Sequence, residues 1–140
     1  MVSIRMALDD TRTRPPLADR LLGMVAFLTA VVLLRCLPLR ATLAAARAAK
    51  RLAHRPATMA EAERALTACT WAATFFPGRA ACLEMSLAAF LTAAAFGRVV
   101  DWCIGCRFRP CESHAWIEAA GRPVGEPALP DRPFRVTVRI

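Results

Sequence analysis

The sequence predicts an α+β fold, with N-terminal helices packed on a small antiparallel sheet. Three observations carry that expectation. Ala and Leu dominate the first two thirds, whereas Val, Ile, Pro and Gly rise in the last third. Apolar residues in the first part recur at helical spacing, as in Met59, Ala62, Leu66, Cys69 and Ala73. The last part alternates and is punctuated by turn residues such as Gly121.

Taken in order, residues 1–16 are polar, carry Asp9-Asp10 and Pro15-Pro16, and read as a flexible arm. Residues 17–34 read as an apolar helix interrupted at Pro38. Residues 42–53 form a second, basic helix with Thr42 as its cap, broken by His54-Arg55-Pro56. Thr58-Met59-Ala60-Glu61 is a capping box opening a helix to about Thr74. Phe75-Phe76-Pro77-Gly78 ends it, and Leu83, Leu87, Phe90, Leu91 and Ala94 mark a further helix face that stops at Gly97. Strands are expected at Val99–Phe108, Ser113–Ala119, Pro123–Glu126 and Phe134–Ile140. A turn is expected at Ala120-Gly121-Arg122 and a loop at 127–133.

A length of 140 residues suits one domain. The expected organisation is an arm at 1–16, an apolar and basic helical extension at 17–57, and a core at 58–140. The net charge of +8 comes almost wholly from scattered arginines, and Lys50 is the only lysine. That favours a solvated surface, with an acidic partner as the functional alternative. A nucleic-acid footprint would need a dense basic stripe with stacking aromatics, and Tyr is absent. Six cysteines, three of them in apolar helical contexts, favour free thiols in a reducing cytoplasm over a secreted disulfide framework. The uncharged run 21–34 is shorter than the ~20 residues a spanning helix needs. A core or partner-facing helix is therefore preferred to a membrane contact or a signal sequence.

The chemistry centres on Cys82, which sits where a Pro-Gly loop feeds an apolar helix. The positive end of a helix dipole favours a thiolate, the nucleophilic form. Of the two histidines, His54 lies in a basic loop and His114 opens a strand. Cys on a helix start and His on a following strand is the arrangement of papain-like and transglutaminase-like folds. A buried structural cysteine and a hydrogen-bonded core histidine would explain the same residues. The competing constellation is metal: Cys103, Cys106, Cys111 and His114 have permissible zinc spacing, which would make the chain a zinc-stabilised binding module. Trp102, Ile104 and Phe108 look instead like strand core positions, with the three cysteines as plain thiols.

The stretch Cys82-Leu83-Glu84-Met85-Ser86-Leu87-Ala88, with Gly97, Gly105, His114-Ala115-Trp116-Ile117-Glu118 and Gly121-Arg122-Pro123-Val124, resembles the leader peptidase of lasso-peptide biosynthesis. That family is a compact branch of the transglutaminase-like cysteine peptidases. The resemblance spans about residues 58–127 and departs at Glu84-Met85, where many members carry Arg just before the Ser. It implies a cysteine endopeptidase without a cofactor that removes a leader from a precursor peptide. It also implies a separate leader-recognition protein and an ATP-dependent cyclase as partners. Cys82 would be the nucleophile, His114 the base, and an acidic residue after the His the third member.

No Asn or Gln occurs, so a Cys-His-Asn triad is excluded. The acid is Glu118 or Glu126. Glu118 shares a strand face with His114 but lies ~13 Å along it. A hairpin centred near 120–121 brings residues 126–128 beside position 114, so Glu126 is favoured. The Cys82 N–H is the expected oxyanion donor, with the Trp71 indole as a second donor or simply core.

Overall fold

The computed structural model describes residues 14–78, 80–108, 111–125 and 133–140. The expected arm over 1–13 and most of the 127–133 loop lie outside them, as does Glu126. Among the described residues the order is α1 (Leu17–Cys36), α2 (Leu39–Leu52), β1 (Arg55–Pro56), α3 (Met59–Ala73), α4 (Cys82–Ala95), β2 (Arg98–Val99), β3 (Asp101–Arg107), β4 (Glu112–Ala119), β5 (Arg122–Pro123) and β6 (Arg135–Arg139). The architecture is the α+β plan read from the sequence.

α1 carries small and apolar residues on one side, and Gly23, Ala26, Phe27, Ala30 and Val31 are buried there. It packs on α3 and α4. Phe27 meets the Phe76 ring edge-on at 5.4 Å. Asp19, 1% exposed, takes a two-pronged hydrogen bond from Arg64 of α3, both contacts at 2.6 Å. α2 begins at Leu39 after Pro38, earlier than expected. Thr42 therefore lies inside the helix and is no cap: it is fully buried and its hydroxyl donates to Leu33 O at 3.1 Å. The basic outer face of α2 remains solvated at Arg40, Arg47 and Arg51. Phe27, Ala30, Val31 and Ala46 join Leu87, Phe90, Trp102 and Ile117 in one core.

The expected capping box opens α3. Thr58 accepts from Glu61 N–H at 3.2 Å, and Glu61 accepts from Thr58 N–H at 3.2 Å. Glu61 also pairs with Arg98 and, at 3.6 Å, with Arg55. The Arg98 guanidinium holds its carboxyl below the usual range. These contacts staple a two-residue parallel pair, Arg55–Pro56 with Arg98–Val99, in the segment read from sequence only as a helix breaker.

The main sheet has the order β5-β4-β3-β6. β3 and β4 pair antiparallel, setting Trp102 opposite Ile117, Ile104 opposite Ala115 and Gly105 opposite His114. The chain reverses at Ala120 (φ 52°) and Gly121 (φ 73°). Two successive left-handed residues make the tight hairpin turn that suits strand twist. Glu118 then faces Pro123 and Ala119 faces Arg122, the register of a hairpin centred at 120–121. The last expected strand forms as β6 along the other edge of β3.

Candidate active site

α4 starts at Cys82, preceded by Ala81 in an extended conformation. Ala81 has no side-chain acceptor, so the N–H groups of the first turn have no partner from the cap residue or from within the helix. Glu84 reaches back to Ala81 N–H at 3.2 Å and lies 3.7 Å from Arg35 of α1. Its charge is thereby tied off beside α1. Cys82 is exposed. It thus combines access, a helix start and open backbone donors, which suits a nucleophile and the oxyanion it creates.

One helical turn further on, Ser86 fixes α4 to the sheet. The indole N–H of fully buried Trp102 donates to Ser86 Oγ at 2.9 Å. Phe90 lies 6.3 Å from the Trp102 ring. α4 ends at Ala95 and β3 starts at Asp101, so β3 runs back along α4 toward Cys82. Cys82 lies ~6 Å beyond Ser86 along the helix. Gly105, with His114 opposite, lies ~10 Å beyond Trp102 along the strand. Cys82 and His114 therefore stand at the same end of the helix–sheet pair.

Strand alternation then divides the sheet. Trp102, Ile104, Ala115 and Ile117 share the face that meets α4. Glu112, His114, Trp116 and Glu118 share the other. His114 is half-buried there, stacked on Trp116 at 5.9 Å and 18° between planes. Phe134 sits 5.3 Å from the imidazole and 5.9 Å from the indole. Arg107 caps Phe134 at 4.6 Å and pairs with Glu112.

Glu118 is committed elsewhere. Its carboxylate accepts from the Trp116 indole N–H at 3.0 Å and from Arg139 at 2.7 Å. It is no direct partner for an imidazole four residues back. Arg139 was not singled out by sequence reading, because only the β3–β6 register brings it to Glu118. Glu126, the favoured acid, lies outside the described residues.

The zinc constellation does not assemble. Cys103 and Cys106 are three apart on β3 and project to opposite faces, and Cys111 is exposed beyond the strand. Among the described residues no group of three His, Cys, Asp or Glu is set to hold a metal. Burial pushes the Cys69 and Cys103 thiols up to about 11. Cys69 lies 3.1 Å from the Thr92 hydroxyl. All six cysteines are free thiols. Trp71 is held in the helical layer, 4.9 Å from Phe75 and under Arg20 at 5.6 Å.

Comparison with known proteins agrees with the α+β plan. No curated protein and no solved structure matches the chain. The family model of the transglutaminase-like superfamily matches residues 24–139, from within α1 to the end of β6. With a match over most of its length, the chain belongs to the transglutaminase-like superfamily.

Proposed function

We propose that this protein is a cysteine peptidase that removes the leader from a lasso-peptide precursor. The observation that carries the reading is the exposed Cys82 at the start of α4, at the same end of the fold as His114, in a transglutaminase-like domain. His114 takes the Cys82 proton, and the thiolate adds to the scissile carbonyl. The N–H groups opening α4 receive the developing oxyanion. As the C–N bond breaks, the imidazolium protonates the leaving amine, which is the new N-terminus of the core peptide. Water then attacks the thioester, giving a proton to His114. The C–S bond breaks, and the leader leaves as a carboxylate. Glu126 orients the imidazole.

The resemblance at the Cys82 and His114 motifs also supports recruitment by a separate leader-recognition protein and delivery of the freed core to an ATP-dependent cyclase, and the cysteines, all six free thiols, favour a reducing cytoplasm. The test is incubation of the full chain with precursor and leader-binding protein, followed by mass analysis. Two fragments summing to the precursor plus one water are expected. Cys82→Ala should abolish them while leaving the fold intact, since Cys82 is exposed. Cleavage surviving in that variant would move the nucleophile elsewhere.

A further inference from the structure

The sheet face bearing His114 holds a chain of contacts that the peptidase reading does not use. Lys50 of α2 donates to Asp101 at 2.7 Å, and Asp101 accepts from Arg139 at 3.3 Å. Arg139 donates to Glu118 at 2.7 Å, and Glu118 accepts from Trp116 Nε1 at 3.0 Å. The Trp116 ring then lies against His114. The first three links cross between elements, α2 to β3, β3 to β6 and β6 to β4, and the last two run along β4. The far edge of the indole passes over Gly105, the residue opposite His114. A methyl group there would stand 2.8 Å from Trp116 Cη2 and 2.5 Å from Arg135 O. The glycine thus clears the space into which the bracket presses the indole.

We propose that Glu118 is a positioning residue: it holds Trp116 by its indole N–H so that the ring fixes the plane of the His114 imidazole. The acid of the His-Ala-Trp-Ile-Glu motif thereby acts on the base through the tryptophan, two residues at a time along one strand face. The role rests on the peptidase reading for its consequence, but not for its geometry. An imidazole whose ring contact is loosened loses alignment with the thiol and the leaving amine. The loss falls on the chemical step and not on peptide binding.

The experiment has two readouts on the full chain. The first is the proton NMR signal of His114, displaced by the ring current of Trp116. His54, remote on the segment bonded to Gly97, serves as the internal reference. Glu118→Ala should return the His114 signal toward its unstacked position and leave His54 unmoved. Trp116→Phe, which keeps a ring but loses the N–H, should also disturb it. Glu118→Gln should restore most of the wild-type signal, because an amide oxygen still accepts from the indole. The second readout is precursor cleavage. Glu118→Ala should lower kcat about tenfold with KM within about twofold, and Glu118→Gln should recover most of it. A His114 signal unchanged in Glu118→Ala overturns the proposal. So does a Glu118→Gln variant as defective as Glu118→Ala, which would show that only the charge matters. If Glu118→Ala does not fold, Glu118→Gln and Trp116→Phe decide the same point. Cleavage surviving in Cys82→Ala would sink the peptidase reading and leave the NMR result standing.

Discussion

At the scale of single residues, Ser86 shows how a motif is visible before its reason is. The Cys-Leu-x-x-Ser-Leu pattern marks the residue, but only the fold shows its hydroxyl accepting the indole N–H of a fully buried Trp102. Ser86→Ala leaves that donor without a partner and should cost about 1–3 kcal/mol in chemical denaturation. The helix start at Cys82 and the strand that carries His114 were legible because both are local signals. The engagement of Glu118 was not, since it depends on Arg139, 21 residues away and reached through β3. With Glu118 committed to Trp116, Glu126→Ala should be the deeper defect, about a hundredfold or more in kcat against about tenfold for Glu118→Ala. Rates at saturating precursor decide it, and a deeper loss in Glu118→Ala would make Glu118 the orienting acid. The thiols divide in the same way. Desolvation keeps Cys69 and Cys103 protonated near neutrality, so iodoacetamide at pH 7 should spare both until the chain unfolds while labelling exposed Cys82. Labelling of either in the folded protein, detected by peptide mapping, would contradict their burial.

Individual elements were read well wherever their signals lie within one turn. The Thr58–Glu61 box and the Ala120-Gly121 reversal are of that kind. The start of α2 was misread because Thr42 looks like a cap in sequence, whereas Pro38 already ends the preceding chain direction and lets the helix begin at Leu39. The Asp19–Arg64 pair joining α1 to α3 spans 45 positions and has no local trace. The hydrogen bond from Arg64 holds the Asp19 carboxyl below its usual value. A carboxyl so depressed contributes stability fully above its unfolded value near 4, and that contribution is lost as pH falls through the folded value. Asp19→Asn should therefore lower stability at pH 7 and flatten the acid limb of the stability profile below about pH 4. The loss should be about 1–2 kcal/mol, discounted because Arg64 is 57% exposed and rehydrates readily. Denaturation at a series of pH values measures both effects, and parallel acid limbs in the two proteins would remove the pair from the account. The hairpin offers a gain instead. Ala120 bears a left-handed backbone, a conformation that costs a residue with a Cβ roughly 1–2 kcal/mol. Ala120→Gly, or the Asn-Gly pair such turns favour, should raise the thermal midpoint.

The whole molecule is organised by where α1 sits. Its uncharged run, 21–34, looked too short to span a membrane, but the helix itself covers Leu17–Cys36, and its 20 residues are long and apolar enough to do so. Length alone does not decide what such a helix does. One side of α1, with Phe27, Ala30 and Val31, is part of the core that also holds Leu87, Phe90 and Ile117. The other side exposes Leu17, Leu21, Val25, Leu28 and Val32. The sequence could not separate the two sides, because apolar residues occupy both and leave almost no amphipathic signal. The packing separates them sharply. Phe27→Ala opens a cavity between α1 and the helices under it and should cost about 3–5 kcal/mol. Replacing Leu21, Val25, Leu28 and Val32 together by Gln removes no core contact. It should leave the unfolding midpoint nearly unchanged, each site falling within about 0.5 kcal/mol, while raising the solubility of the isolated chain. Denaturation curves and saturation concentrations of the two variants give the comparison. A fourfold Gln variant that unfolds as readily as Phe27→Ala would mean that both sides of α1 are structural, and that the core extends across the whole helix.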